Sequence, residues 1–217
     1  MNECSFILNE CRIKNKGELH MVEKGKKRGP KYDKIIDAAV VVIAQNGYHQ
    51  AQVSKIAREA GVADGTIYLY FKNKEDLLIS LFQKKMGSFI DKTEEQIVKK
   101  DNAMDKLFTL IDMHFKHLGS DYELAIVTQL ELRQTNKALR AQIGEVLKKY
   151  LTLVDHILHE GIKSGLFIEE LDIRLARQMI FGTLDETVTN WVMKDHKFEL
   201  EPLAKPLHNL LINGLSK

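Results

Sequence analysis

A chain of 217 residues, 44% hydrophobic and 29% charged, has room for one large or two small packed domains with a sizeable core. Only three prolines interrupt long stretches of Leu, Ile, Glu, Lys and Ala, which favours an all-α fold. No apolar run approaches the roughly 18 residues of a membrane helix and no secretory signal is evident, so a cytoplasmic location is expected and a membrane partner is not.

The net charge of +2 hides an asymmetry. Lys26 to Lys74 holds nine Lys and Arg against four Asp and Glu, while Glu75 to the end holds 19 against 22. A basic first part points to nucleic acid, with a merely solvated charged face as the alternative.

Residues 1 to 20 show no period and no motif. Lys16-Gly17-Glu18 can be encoded by a purine-rich string like a bacterial ribosome-binding site just before Met21. Translation is therefore expected to begin at Met21, with 1–25 a disordered or mis-assigned extension. Both cysteines, Cys4 and Cys11, lie in this stretch, and with His20 they match no standard zinc spacing. Neither a disulfide nor a metal site is expected. Lys24, Lys26, Lys27, Arg28 and Lys31 form a basic arm broken by glycine and proline, suited to phosphate or minor-groove contact.

The first firm helix is expected from about Lys31 to Gln45, with Ile35, Ala38, Ala39, Val42 and Ile43 at helical spacing and Asn46-Gly47 as its stop. A short helix with Ile56 and Ala57 inward then ends at Gly61, and Val62 plugs the corner. A second short helix starts near Ala63 or Asp64, carries Thr66, Tyr68 and Tyr70, and buries Ile67 and Phe71. Two helices at this spacing form a helix-turn-helix whose second member can lie in a major groove. An ordinary helical hairpin with core tyrosines is the other reading.

A long helix follows from Lys74 to about Lys99. Asp101 and Asn102 are the cap expected for the next, whose Met104, Leu107, Phe108, Ile111 and Phe115 form an apolar stripe, either core or ligand pocket. Further helices are expected over about 122–134 and 137–163, the second capped by Asn136 and ended near Gly165, and from Asp172 to about Lys194. The last starts near Pro202 or Pro206. Arg133, Lys137 and Arg140 fall at offsets of four and seven, and Arg174 and Arg177 three apart. A cationic row beside an apolar pocket suits an anionic headgroup on an apolar tail, and surface charge is the alternative. The two C-terminal helices carry more apolar surface than a small domain covers, which suggests a dimer formed through Ile180, Leu184, Thr187, Trp191, Leu207 and Leu211.

The run Gly61-Val62-x-x-Gly65-Thr66-Ile67-Tyr68-x-Tyr70-Phe71-x-Asn73-Lys74-x-x-Leu77-Leu78 resembles the signature of the TetR family of one-component repressors. Ala63 stands where that family usually has a serine cap and Gln52 where it has threonine, which puts the operator sequence in question. The resemblance implies a helix-turn-helix domain over 26–75 and a larger helical ligand-binding and dimerisation domain over 76–217. It makes Lys27, Arg28, Ser54, Lys55, Asp64, Gly65, Thr66, Tyr68, Tyr70 and Lys74 the candidate contacts to double-stranded operator DNA.

AIVTQLELRQTNKALR (Ala125 to Arg140) and RLARQMIFGTLDETVTNWVM (Arg174 to Met193) are similar to segments of the family's acyl-CoA-responsive repressors of fatty acid degradation. That likeness implies a homodimeric repressor released from DNA by a long-chain fatty acyl-CoA effector. Leu107, Phe108, Ile111, Phe115, Leu130, Arg133, Lys137, Arg140, Arg174 and Arg177 are then its candidate ligand contacts. Two other readings stand beside it. One is a sensor of another small molecule, such as a drug or metabolite, with an aromatic pocket, which the 7% aromatic content disfavours. The other is an acyl-CoA-using enzyme working through Asp185-Glu186, His114, His117, His156 or His159, although no nucleophile motif, phosphate loop or metal spacing accompanies them. No catalytic residue and no cofactor is expected.

Overall fold

The computed structural model describes residues 29–131 and 136–215, so Lys27, Arg28 and Arg133 lie outside the described residues. Among those described, the elements are nine α-helices and one 3-10 turn, with no strand. Helix α1 (Pro30–Gln50) opens with Pro30 in its first turn, where an amide would lack a helical partner. Its expected stop is real. Gly47 has φ of +70°, which breaks the helix and leaves a last turn that delivers Tyr48 into the core.

Helix α2 (Val53–Glu59) ends at Gly61, whose φ of +66° is the left-handed stop expected there. The amide of Val62 bonds back to the carbonyl of Ala57 at 2.9 Å, fixing the turn. Helix α3 (Asp64–Ile67) is shorter than the spacing suggested: Tyr68 to Tyr70 follow it as turns. Ala63 at its cap position makes no side-chain hydrogen bond to it, so nothing stiffens this end beyond the backbone. Phe71 seals the unit, fully buried and stacked on Tyr32 with centroids 5.2 Å apart.

Helix α4 (Lys74–Ile97) is started by Asn73, whose side chain accepts from the amide of Asp76 at 2.8 Å. It packs on α1 near its start and on α5 (Ala103–Gly119) and α7 (Lys137–Lys163) beyond. Lys84 and Lys85 pair with Asp33 and Asp37 of α1 at 2.9 and 2.7 Å. A boundary between residues 75 and 76 therefore cuts the first turn of a helix that serves both parts. Helix α6 (Tyr122–Glu131) runs between α1 and α8 (Ile173–Met193), touching both. A 3-10 turn (Glu201–Leu203) leads into α9 (Ala204–Leu215), which lies on α5. Asn102, Asn136 and Asp172 cap α5, α7 and α8 as expected.

Candidate nucleic-acid interface and effector cavity

The basic head presents one open face. Tyr68 is 58% and Leu69 76% exposed, in the turns that follow α3, and Ser54, Asp64 and Gly65 are exposed nearby. Large side chains left in water just past the end of a short helix offer hydroxyl and apolar surface that a groove edge can meet. Leu69 was missed in the sequence because it is an apolar residue between two tyrosines. Its exposure is the signal. Tyr70 sits differently: it is half-buried, with its ring 6.4 and 6.3 Å from those of Tyr32 and Phe71, so it packs partly into the head.

Two of the candidate cations are already engaged. Lys55 Nζ donates to Asn46 Oδ1 at 2.9 Å and ties α2 to α1. Lys74 Nζ donates to the carbonyl of His49 at 2.9 Å and lies 4.7 Å over the Tyr48 ring. Partial burial lowers the Lys74 pKa, with Glu131 opposing that shift. Both lysines thus hold the ends of the head together, and Lys72 and Asn73 are the exposed polar residues at the α4 entrance.

The same corner meets α6. Glu131, the last described residue of that helix, accepts from the amide of Tyr48 at 2.8 Å across 83 positions of chain. Burial, and then Glu75 and Glu131, push the Tyr48 hydroxyl pKa up to about 12, so the ring stays neutral. Asn136 reaches Glu75 at 3.5 Å from the start of α7. The end of α6 is thus tied directly to the kinked end of α1.

One turn or less before Glu131, Thr128 and Gln129 line a narrow cavity between α4, α5, α6, α7 and α8. Phe82, Met86, Leu118, Ile143, Leu147 and Phe181 form its apolar wall, and His114, Thr128, Gln129 and Asp185 its polar one. The Gln129 amide, with its nitrogen toward α8 so that two acceptors do not face each other, donates to Asp185 Oδ1 and Thr189 Oγ1, each at 2.9 Å. His114 is held neutral: burial, and secondarily His117, lower its pKa to about 3. The cavity offers only about 30 Å³ of accessible room. Sites for ligands of drug size hold about 300–1,000 Å³, so a long apolar ligand must part these helices to enter.

The expected pocket residues fall elsewhere. Leu107, Ile111 and Phe115 are fully buried in the general core and do not line the cavity. Phe108 faces α9, with its ring 5.5 Å from His208 and Lys205 above it at 5.2 Å. The stripe is a packing face because α5 is central, touched by α4, α6, α7, α8 and α9. Instead His114 and Leu118, further along α5, reach the cavity. Leu130 points outward, half exposed. Lys137 and Arg140 are exposed on the first turns of α7, as is Arg174 on α8, whereas Arg177 is tied to Asp155 at 2.6 Å.

The pairing residues also shift. Ile180 and Leu184 are fully buried inside the protomer, Leu211 is buried, and Trp191 turns inward to donate to the carbonyl of Phe198 at 2.6 Å. Thr187 and Leu207 are half-buried. The open apolar side of α8 carries Leu175, Met179 and Met193, and Leu210 is exposed on α9. Thr183 and Thr187 turn their hydroxyls back to carbonyls at 2.6 and 2.7 Å and so present methyl groups outward. Among the described residues, no three His, Cys, Asp or Glu are grouped to hold a metal, and no helix is long and apolar enough to cross a membrane.

An open helix-turn-helix face joined by a strut to an apolar cavity defines a ligand-responsive transcriptional regulator. Bacterial regulatory proteins of the tetR family match residues 35–81, and the C-terminal region of YsiA-like protein matches residues 82–214. The chain belongs to the TetR family. It is 63% identical over 190 residues to the fatty acid metabolism regulator protein of Bacillus subtilis (strain 168), covering 88% of this chain and 98% of that one. It superposes on the fatty acid degradation regulator FadR from Bacillus halodurans with a TM-score of 0.82 at 66% identity, over 85% of this chain and 99% of that one. FadR from Bacillus subtilis in complex with stearoyl-CoA matches with a TM-score of 0.83 at 63% identity, over 84% and 98% of the two chains.

Proposed function

We propose that the protein is a cytoplasmic homodimeric repressor of fatty acid degradation genes, released from operator DNA by long-chain fatty acyl-CoA, and that it performs no catalysis. The observation that carries this is the 63% identity to a fatty acid metabolism regulator over nearly its whole length. A solved relative holding stearoyl-CoA, at the same identity, points to the ligand class.

The reading head, 26–75 with the first turns of α4, meets DNA through Ser54, Asp64, Gly65, Thr66, Tyr68, Leu69 and Tyr70. The arm at Lys27 and Arg28 adds phosphate contact. Two protomers pair through the outer face of α8, around Met179 and Thr183, and with Leu210. Their heads then face successive major grooves about one helical turn, or a multiple, apart. The acyl chain enters the cavity between α4 and α8, where each methylene removed from water contributes about 0.8 kcal/mol. Lys137, Arg140 and Arg174 are exposed cations on α7 and α8, two of the helices that wall the cavity, and suit the phosphates of coenzyme A.

Because the cavity is narrow, filling it moves α6, and Glu131 passes that movement to Tyr48. Ligand and operator then favour different spacings of the heads, and each ligand shifts the population toward its own.

The test is a mobility shift with a duplex selected from a random pool by the protein itself. Micromolar stearoyl-CoA should abolish the shifted band while free coenzyme A leaves it. Equal effects of the two, or no effect of either, would refute the reading.

A further inference from the structure

Five buried side-chain polar atoms have no hydrogen-bond partner among the described residues, and His114 Nε2 is the one whose residue lines the cavity. His114 is buried on α5, and its Nδ1 lies 3.0 Å from the hydroxyl of Tyr150 on α7. Its other nitrogen, Nε2, has no hydrogen-bond partner among the described residues, although the ring lines the effector cavity. Natural proteins rarely leave such an atom unpaired.

Its proton can be placed. The Tyr150 hydroxyl is fully buried and needs an acceptor, and His114 Nδ1 is its hydrogen-bond partner in the structure. Nδ1 therefore offers its lone pair, and the proton of the neutral ring sits on Nε2. Burial keeps the imidazole uncharged well below its ordinary range. The result is a neutral N–H donor, itself shielded from solvent, on a ring that lines the cavity.

The surroundings select what it meets. Thr128 Oγ1 donates to the carbonyls of Leu124 and Ala125 at 2.9 and 3.1 Å. Gln129 is bonded to Asp185 and Thr189. No Lys or Arg lines the cavity, while the Asp185 carboxyl does. A free carboxylate entering here would meet the Asp185 carboxyl and no cation in a poorly solvated place. A neutral carbonyl oxygen at the head of an apolar chain meets no such penalty.

We propose that His114 Nε2 donates to the thioester carbonyl oxygen of the bound acyl-CoA, with Tyr150 as the residue that positions it. The pair makes the protein a reader of the thioester itself, separating acyl-CoA from free fatty acid of the same length. This rests on the acyl-CoA reading above.

The experiment is calorimetric titration of the full-length protein with stearoyl-CoA, with S-octadecyl-CoA, which keeps the chain and coenzyme but has a thioether and no carbonyl, and with stearate. The wild type should bind the thioester roughly tenfold more tightly than the thioether, and stearate least. His114→Phe should bring the thioester-to-thioether ratio within about twofold, and His114→Gln, which restores an N–H, should recover part of it. Tyr150→Phe should lower the ratio while leaving thioether affinity unchanged. Thermal melting and operator binding check that each variant folds. Should His114→Phe not fold, an unchanged ratio in Tyr150→Phe overturns the proposal. Equal thioester and thioether affinity in the wild type, or full discrimination in His114→Phe, does the same. Failure of all three ligands to bind instead overturns the acyl-CoA reading.

Discussion

In the head, α2 and α3 are seven and four residues long, and their exposed face is held by a few fully buried side chains, Ile56, Ile67 and Phe71, and by lysines bonded to backbone and amide groups. In the effector half, α4, α7 and α8 run 24, 27 and 21 residues around a cavity that opens only if they separate. The contrast teaches a division of labour. A DNA reader must keep its face rigid, because base contacts tolerate little misplacement, whereas an effector site that signals must have walls able to move. Short helices pinned to a compact core serve the first need, and long helices around a narrow cavity suit the second.

The largest effect expected from breaking that contrast is at Phe71. Truncation to alanine removes a buried ring from a small core and should cost about 3–5 kcal/mol. Urea denaturation should show the loss, and operator binding should vanish with it. Retention of operator binding would mean that the head is not rigid by packing.

Acid probes the other half. The only described histidine of the head, His49, is exposed, while His114 in the cavity wall has its pKa depressed to about 3 by burial and then by His117. The unfolded chain takes up that proton below about pH 6.5 and the folded chain does not until about pH 3. The stability tied to neutral His114 is therefore full above about pH 6.5. It falls by about 1.4 kcal/mol per unit as pH drops, or about 3 kcal/mol at pH 4. His117 and His208, both lowered chiefly by burial, act in the same direction. Denaturation midpoints between pH 7 and 4 check this, and His114→Gln should flatten the profile. A variant as acid-sensitive as the wild type would place the loss elsewhere.

A smaller effect is expected where the two halves meet. Glu131→Ala removes the acceptor for the Tyr48 amide and should weaken coupling by about 0.5–2 kcal/mol, with acyl-CoA affinity unchanged. More ligand would then bind before DNA is released, visible by running titrations of both on one sample. The smallest is at the α4 entrance: Asn73→Ala removes an N-cap and should cost about 1 kcal/mol in a thermal melt, with no change in ligand affinity.

Much of this was legible because short-range chemistry writes itself into sequence. Asn102, Asn136 and Asp172 announce helix starts, and Gly47 and Gly61 announce breaks, since each acts on amides or dihedrals within a few residues. The helix-turn-helix was legible for the same reason. Lys55 and Lys74 were harder to read: beside such a motif a lysine suggests phosphate, and only the proximity of Asn46 and His49 shows their intramolecular bonds. On α8 the period alone could not separate two apolar sides. Ile180 and Leu184 went to the protomer's own core, and Leu175, Met179 and Met193 were left outside.

The sequence by itself determined the helices, their caps and corners, the DNA-reading motif and the family. The tertiary structure decided which apolar stripe became cavity and which became core, and which cations were already bonded. It also brought His114, one of the histidines weighed for acid-base work, to the wall of a cavity as a buried, neutral ring. Helix starts depend on neighbours a turn away. A cavity and the proton on a buried ring depend on residues brought together from five helices, and that meeting is a property of the fold.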